Sequence, residues 1–278
     1  SFTDIFYGPK QEAEPAYASQ SYNNRIENSS FTINRKYHLI GMDSYALNAA
    51  EGKVGDTFIV KNSTFNFFTD TYGTFVVRTC ADRVRFENCK LNINLKKQTD
   101  GSSPYCIMSI FAALATKATS PKVELVNTDI EINGAASSSA GRISNPFAYL
   151  FSKIGAKSYS VSLNQCNIHG TARVDWSLFE QMESVSISNS QISIGGCDYH
   201  GYYINAPKRL QITGTTFTGR LGKYNTLVSV PNVKDYSHSI DNTTVDASVS
   251  KLFTTSPDRR HTSITNVRNR TTNRPITK

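Results

Sequence analysis

No apolar run in this 278-residue chain is long enough to span a bilayer, and no stretch has the layout of a secretory signal, so neither a membrane span nor a leader is expected. Cysteine is sparse and odd in number: five residues cannot all pair. No CxxC or Cys/His cluster has zinc spacing, which leaves free thiols, no metal and no cofactor as the expectation. Charge is unbalanced, at +8 with a pI near 9.2, but a dense basic run is missing. Lys96-Lys97, Lys208-Arg209 and Arg259-Arg260 are isolated pairs, so nucleic-acid binding is not expected. A mild positive field of this kind suits an acidic polysaccharide, or simply keeps an extended surface solvated. Helical periodicity is almost absent; only residues 110–115 read as one helical turn.

What the chain does have is a repeated phrase: apolar, any residue, Asn, small polar, any residue, apolar. It reads Ile26-Glu27-Asn28-Ser29-Ser30-Phe31, Val60-Lys61-Asn62-Ser63-Thr64-Phe65 and Phe86-Glu87-Asn88-Cys89-Lys90-Leu91. It returns around Asn127, Gln165, Asn189, Gly214 and Asn242, with a worn copy at Ile264-Thr265-Asn266. The steps between central residues are 34, 26, 39, 38, 24, 25 and 28 residues. A repeat near 25 residues with insertions in some copies describes a solenoid.

On each side of the central residue apolar and polar positions alternate, as in Val84-Arg85-Phe86 and Leu91-Asn92-Ile93. Period-two alternation marks strands with one buried face. Two strands meeting over so few residues need a sharp bend, which Asn and Gly tolerate in the left-handed conformation; Gly214 fits that role well and Gln165 less well. A third apolar run follows in each copy, at residues 37–40, 74–77, 106–110, 147–150, 176–179, 202–204, 227–230 and 252–254. Three short strands per coil predict a right-handed, single-stranded parallel β-helix of eight or nine coils with an Asn ladder. The expected organisation is a linker or cap at 1–20, the β-helix at 21–268 and a tail at 269–278.

Insertions in adjacent coils of a solenoid pile up on one face. Residues 94–104 and 133–146 are the longest, with shorter versions at 170–175 and 195–201, so a loop-walled groove is expected beside the third strands. Asp175, Glu180 and Asp198 are the acid, base or nucleophile candidates there; Asp175 and Asp198 lie 23 residues apart, about one coil. Paired carboxylates are what glycoside hydrolysis uses. A lyase would instead call on Tyr199 or His200 as base. Trp176, Tyr202 and Tyr203 are candidate sugar-stacking platforms, although Trp176 opens an apolar run and reads equally as core. Arg142 and Arg173 could neutralise an acidic sugar, and Asp100 sits in the longest loop cluster. His38, His169 and His238 fall on strand positions and read as structural.

The repeat resembles the right-handed β-helix of the pectate-lyase-like superfamily, in which an Asn ladder at one turn is common. The resemblance covers about residues 20 to 268 and lies in architecture; no polygalacturonase motif and no pectate-lyase calcium site is present. Within that superfamily, Ser/Thr/Asn-rich coils with aromatic loops look most like a bacteriophage tailspike or tail fibre. That resemblance implies a homotrimeric, extracellular virion component that recognises and depolymerises a bacterial surface polysaccharide, capsule or O-antigen, with no nucleic-acid partner and no membrane insertion. The alternatives are a secreted polysaccharide lyase or hydrolase, and an adhesive or structural β-helix without activity.

Overall fold

Alternating apolar and polar residues form strands throughout, and these strands stack as three parallel sheets. The computed structural model describes residues 23–34, 40–42, 57–69, 73–79, 83–95, 107–113, 121–134, 147–153, 159–172, 174–194, 202–219 and 225–276. The first sheet has nine strands, from Asn23–Glu27 to Thr262–Thr265; the second has nine, from Ser30–Asn34 to Arg268–Asn269. The third has eight, from Ile40–Met42 to Lys251–Phe253. Each strand pairs with its counterpart one coil away, so the chain is a parallel β-helix. Among the described residues there is no α-helix, and no helix long and apolar enough to cross a membrane. Of the helical turn expected at residues 110–115, residues 110–113 are strand instead, within Ile107–Ala113, because Ile110 and Phe111 are buried and the strand pairs with neighbouring coils on both sides; residues 114 and 115 lie outside the described residues.

The corner between the first and second sheets is one residue with positive φ. Asn28, Asn62, Asn88, Asn127, Gln165, Asn189, Gly214, Asn242 and Asn266 all fall between 43° and 57°. Gln165 therefore takes the same backbone as the asparagines, and the worn copy at Asn266 is a full ninth corner. The N–H of every corner but the last, Asn266, donates to a carbonyl of the following coil, as from Asn88 to Val126 at 3.0 Å. In the first four coils the side chains also form a ladder: Asn62 Nδ2 donates to Asn28 Oδ1 at 3.1 Å, Asn88 to Asn62 at 3.2 Å and Asn127 to Asn88 at 2.9 Å. These amides stand exposed at the corner, not packed between coils.

The small polar residue after each corner has its own reason. Its side chain is buried and donates back to the carbonyl two residues earlier, as Ser63 does to Lys61 at 2.7 Å, Thr128 to Val126 at 3.0 Å and Ser190 to Ser188 at 2.7 Å. Cys89 and Cys166 occupy this slot as free, buried thiols, and burial pushes both thiol pKa values up.

Inward residues stack coil on coil into a single core. Phe111, Phe151 and Phe179 lie face to face at 4.8 and 5.2 Å, and Phe111 meets the edge of Phe86 at 5.9 Å. In the third sheet Phe147, Ala148, Leu150, Phe151 and Ser152 of the strand Phe147–Lys153 are buried, while Tyr149 is half-buried. At the far end the chain folds back: Arg268 bridges Pro275 in antiparallel sense, and Ile276 packs against the core.

His238 is a core residue of the last coils. Its Nε2 donates to the Pro207 carbonyl at 3.0 Å, its ring stacks on Phe253 at 5.8 Å, and its Nδ1 is buried without a partner. Thr262, in register one coil on, has a buried hydroxyl also without a partner. Burial pushes the His238 pKa below its ordinary value of 6.5. The unfolded chain therefore binds this proton before the folded chain does, and stability falls as pH drops below about 6.5. That window lies above the one in which Asp258, held at about 2 chiefly by its hydrogen bonds from Arg260, loses its contribution. Thermal melts at descending pH check the slope, and His238→Phe should flatten it. Phe151→Ala, which opens the centre of the aromatic stack, should cost about 3–5 kcal/mol in a urea titration.

Candidate functional site

The strand Asp129–Gly134 has the burial pattern of alternation, with Ile130 and Ile132 inward and Asp129, Glu131 and Asn133 outward. In the next coil Asn167–His169 turns Ile168 inward and Asn167 and His169 outward. Register places Asn167 beside Asp129 and His169 beside Glu131. Both nitrogen donors reach one carboxylate oxygen: Asn167 Nδ2 lies 2.8 Å and His169 Nε2 3.1 Å from Asp129 Oδ1. Lys90, one coil earlier, brings its ammonium to 3.9 Å of the other oxygen. Asp129 and His169 each keep about a third of their side-chain surface exposed.

Glu131 stands two residues along from Asp129 on the same face, a backbone spacing of about 6.6 Å. Asn133 donates to its Oε1 at 3.0 Å. Asn92, in register with Glu131 on the other side, donates to Asn66 at 2.7 Å, while its own carbonyl oxygen is buried without a donor. The outward face of the second sheet thus holds two carboxylates, an imidazole, a lysine and a row of amides on rigid strands.

One glycine fixes this arrangement. Gly170 follows His169 with φ 138°, and a Cβ built on it would lie 2.1 Å from the Ile132 carbonyl oxygen. Its N–H donates to Ser193 and the next but one, Ala172, donates to Ile132. The backbone after His169 must therefore pass close against the strand that carries Asp129 and Glu131, which only glycine permits.

The residues singled out from sequence are arranged otherwise. Glu180 ends the third-sheet strand Val174–Glu180, and its carboxylate is held by Asn205 Nδ2 at 2.8 and 2.9 Å and by Ser177 Oγ at 2.9 Å. It staples two coils at the corner, where Gln181 has φ 52°. Asp175 is on the same strand, five residues before Glu180. Trp176 is half-buried with its ring 6.2 Å from Tyr149. Tyr203 is fully buried, its hydroxyl donates to the Gly219 carbonyl, and its ring packs on Phe217 at 5.4 Å. It is a core residue and not a sugar platform, fully buried as its neighbour Ile204 is. Tyr202 lies on that strand. Asp100, Arg142, Arg173, Asp198, Tyr199 and His200 lie outside the described residues.

The sequence reading missed the Asp129, Glu131 and His169 group by taking His169 as structural. Alternation around Ile168 was the available signal, since an inward Ile168 requires an outward His169. Among the described residues no three His, Cys, Asp or Glu side chains come together as a metal site. No protein-family model matches the chain, and no curated protein or solved structure matches it either. Gly170→Ala should lower stability by about 2–3 kcal/mol through backbone strain, read as a shift in denaturation midpoint, while exposed Ser193→Ala in the next coil should leave it within about 0.5 kcal/mol.

Proposed function

We propose that the chain recognises and cleaves a bacterial surface polysaccharide, in the manner of a tailspike, along the outward face of its second sheet. The observation that supports this is the hydrogen-bonded Asp129–His169 pair beside Glu131 on a rigid face lined with amides. A sugar polymer needs an extended surface with many fixed donors and acceptors, and successive coils about 4.8 Å apart supply them in a row.

Asp129 accepts a hydrogen bond from His169 and so orients the imidazole; Glu131 is a second acid–base group on the same face. The two acids stand two residues apart on one face of one strand, which is where this reading takes its acid and its base. In hydrolysis, one group protonates the leaving glycosidic oxygen while the other takes a proton from the attacking water. Asn92, Asn133 and Asn167 hold the ring hydroxyls in this reading. The remaining reading is adhesion alone, in which the same face binds without cutting.

Incubation with a panel of capsular and O-antigen polysaccharides tests the proposal. New reducing ends are expected from a hydrolase, unsaturated uronate absorbance from a lyase, and binding without either from an adhesin. Glu131→Gln and His169→Ala should each lower cleavage by about 100-fold or more with an unchanged melting temperature. Full cleavage by both folded variants would remove the chemistry from this face.

A further inference from the structure

The positive charge of the chain is gathered at one end. Residues 251–276 carry Lys251, Arg259, Arg260, Arg268, Arg270 and Arg274 against one carboxylate, Asp258, a net +5 of the chain's +8. All six basic side chains are exposed. Asp258 is taken by Arg260, whose Nη2 lies 2.7 Å from Oδ2, and by the backbone N–H of Arg260, which it caps at 2.9 Å. Arg259, Arg270 and Arg274 have no ion pair and no side-chain hydrogen bond among the described residues. Elsewhere on the solenoid basic residues sit against carboxylates, as Arg83 does on Glu124, Arg85 on Glu87 and Lys208 on Glu183.

The fold also holds these arginines in place. Arg259 and Arg260 form the turn that leads into the last strand of the first sheet. Arg268 begins the last strand of the second sheet, and Arg270 and Arg274 stand on the turn that closes the solenoid. That turn is tied at both ends. Asn269 N–H donates to the Arg274 carbonyl at 2.9 Å, Asn269 Oδ1 accepts from Thr271 and Thr272, and Arg270 N–H donates to Val245 at 2.8 Å.

Protection of the open end against stacking with another solenoid would be served by charges of either sign. One sign, left unpaired on an ordered turn, is instead complementary to an anionic partner. Residues 254–276 contain no Phe, Tyr or Trp, and Tyr236, packed on His261 at 5.7 Å with its hydroxyl taken by the Asp258 N–H, is one ring and not the row of stacking platforms that a single-stranded nucleic-acid site uses. Planar guanidinium forks match carboxylates in bidentate fashion. Arg268 also continues the outward column of the second sheet that starts at Lys90 and Asp129, five coils and about 24 Å beyond Asp129.

We propose that this terminal coil and its closing turn form a docking surface for a carboxylated polysaccharide, separate from the Asp129 group. The polymer class rests on the polysaccharide reading above; the surface itself does not depend on cleavage.

The test is a binding titration of the whole chain with polygalacturonate, with neutral dextran and oligo-dT as comparison polymers. Polygalacturonate should bind and dextran should not. Arg270→Ala/Arg274→Ala, which removes two side chains with no ion pair or side-chain hydrogen bond among the described residues, should weaken polygalacturonate at least about tenfold and flatten the salt dependence, with an unchanged melting temperature. Arg259→Ala, on a separate segment, should weaken it in the same direction. Unchanged affinity in these folded variants, equal binding of dextran, or tighter binding of oligo-dT than of polygalacturonate overturns the proposal. Cleavage is scored separately, so a chain that cuts its polysaccharide while the double variant keeps full affinity for polygalacturonate overturns this surface alone.

Discussion

Each coil passes from its first sheet to its second through a single residue in the left-handed conformation, and the register of the strands on either side is set there. The corner N–H bonds to a strand-end carbonyl of the following coil, and the side chain after the corner bonds to the strand-end carbonyl of its own. With both groups satisfied, the two strands can meet without a loop, and a slip of one residue would turn every inward side chain outward. Left-handed backbone is costly for most residues and mild for Asn and Gly, which is why the phrase returns with Asn at its centre. Gln165 shows that the backbone requirement is stricter than the side-chain one: it adopts φ 54° in the same line although it is not among the favoured residue types.

With the interior fixed by that register, the three outward faces are free to differ. The first sheet carries ion pairs in its early coils, where Lys61 and Arg85 share Glu87 and Arg83 and Arg85 share Glu124. Hydrogen bonds from Arg85 and Lys61 hold the Glu87 carboxyl below its ordinary range. Exposed pairs of this kind contribute little individually, and later coils replace them with serine. The second sheet carries amides and the Asp129, Glu131 and His169 group. The third sheet is closely packed at Phe147–Lys153, where Phe147, Ala148, Leu150, Phe151 and Ser152 are buried and Tyr149 is half-buried. Charges left without a carboxylate partner collect at the closing turn.

Much of this was legible in residue order. The nine corners, the paired strands around them and the third apolar runs all follow from a period of two interrupted once per coil by Asn. The site was less legible for a definite reason. Asp129, Glu131 and His169 are outward by alternation alone, and Glu131 and His169 share one slot, four residues after Asn127 and Gln165. Position within the repeat was readable; which side chain bonds to which in the neighbouring coil was not. Glu180 looked like a free carboxylate in a loop cluster, and the fold instead closes it against Asn205, 25 residues on. Tyr203 looked like an exposed ring next to Tyr202, and packing on Phe217 with its hydrogen bond to Gly219 places it in the core.

The sequence by itself determined a parallel β-helix with a left-handed corner in every coil, Asn in all but two of them, because local backbone preference and strand alternation both act over a few residues. Only the tertiary structure decided which distant side chains become neighbours. Insertions of different length separate equivalent positions by 24 to 39 residues, so no local pattern pairs Asp129 with His169. Nor does one bring Arg259 and Arg260 to the same terminal coil as Arg268, Arg270 and Arg274. Stacking at one strand spacing per coil makes those contacts, whatever the length of chain between them.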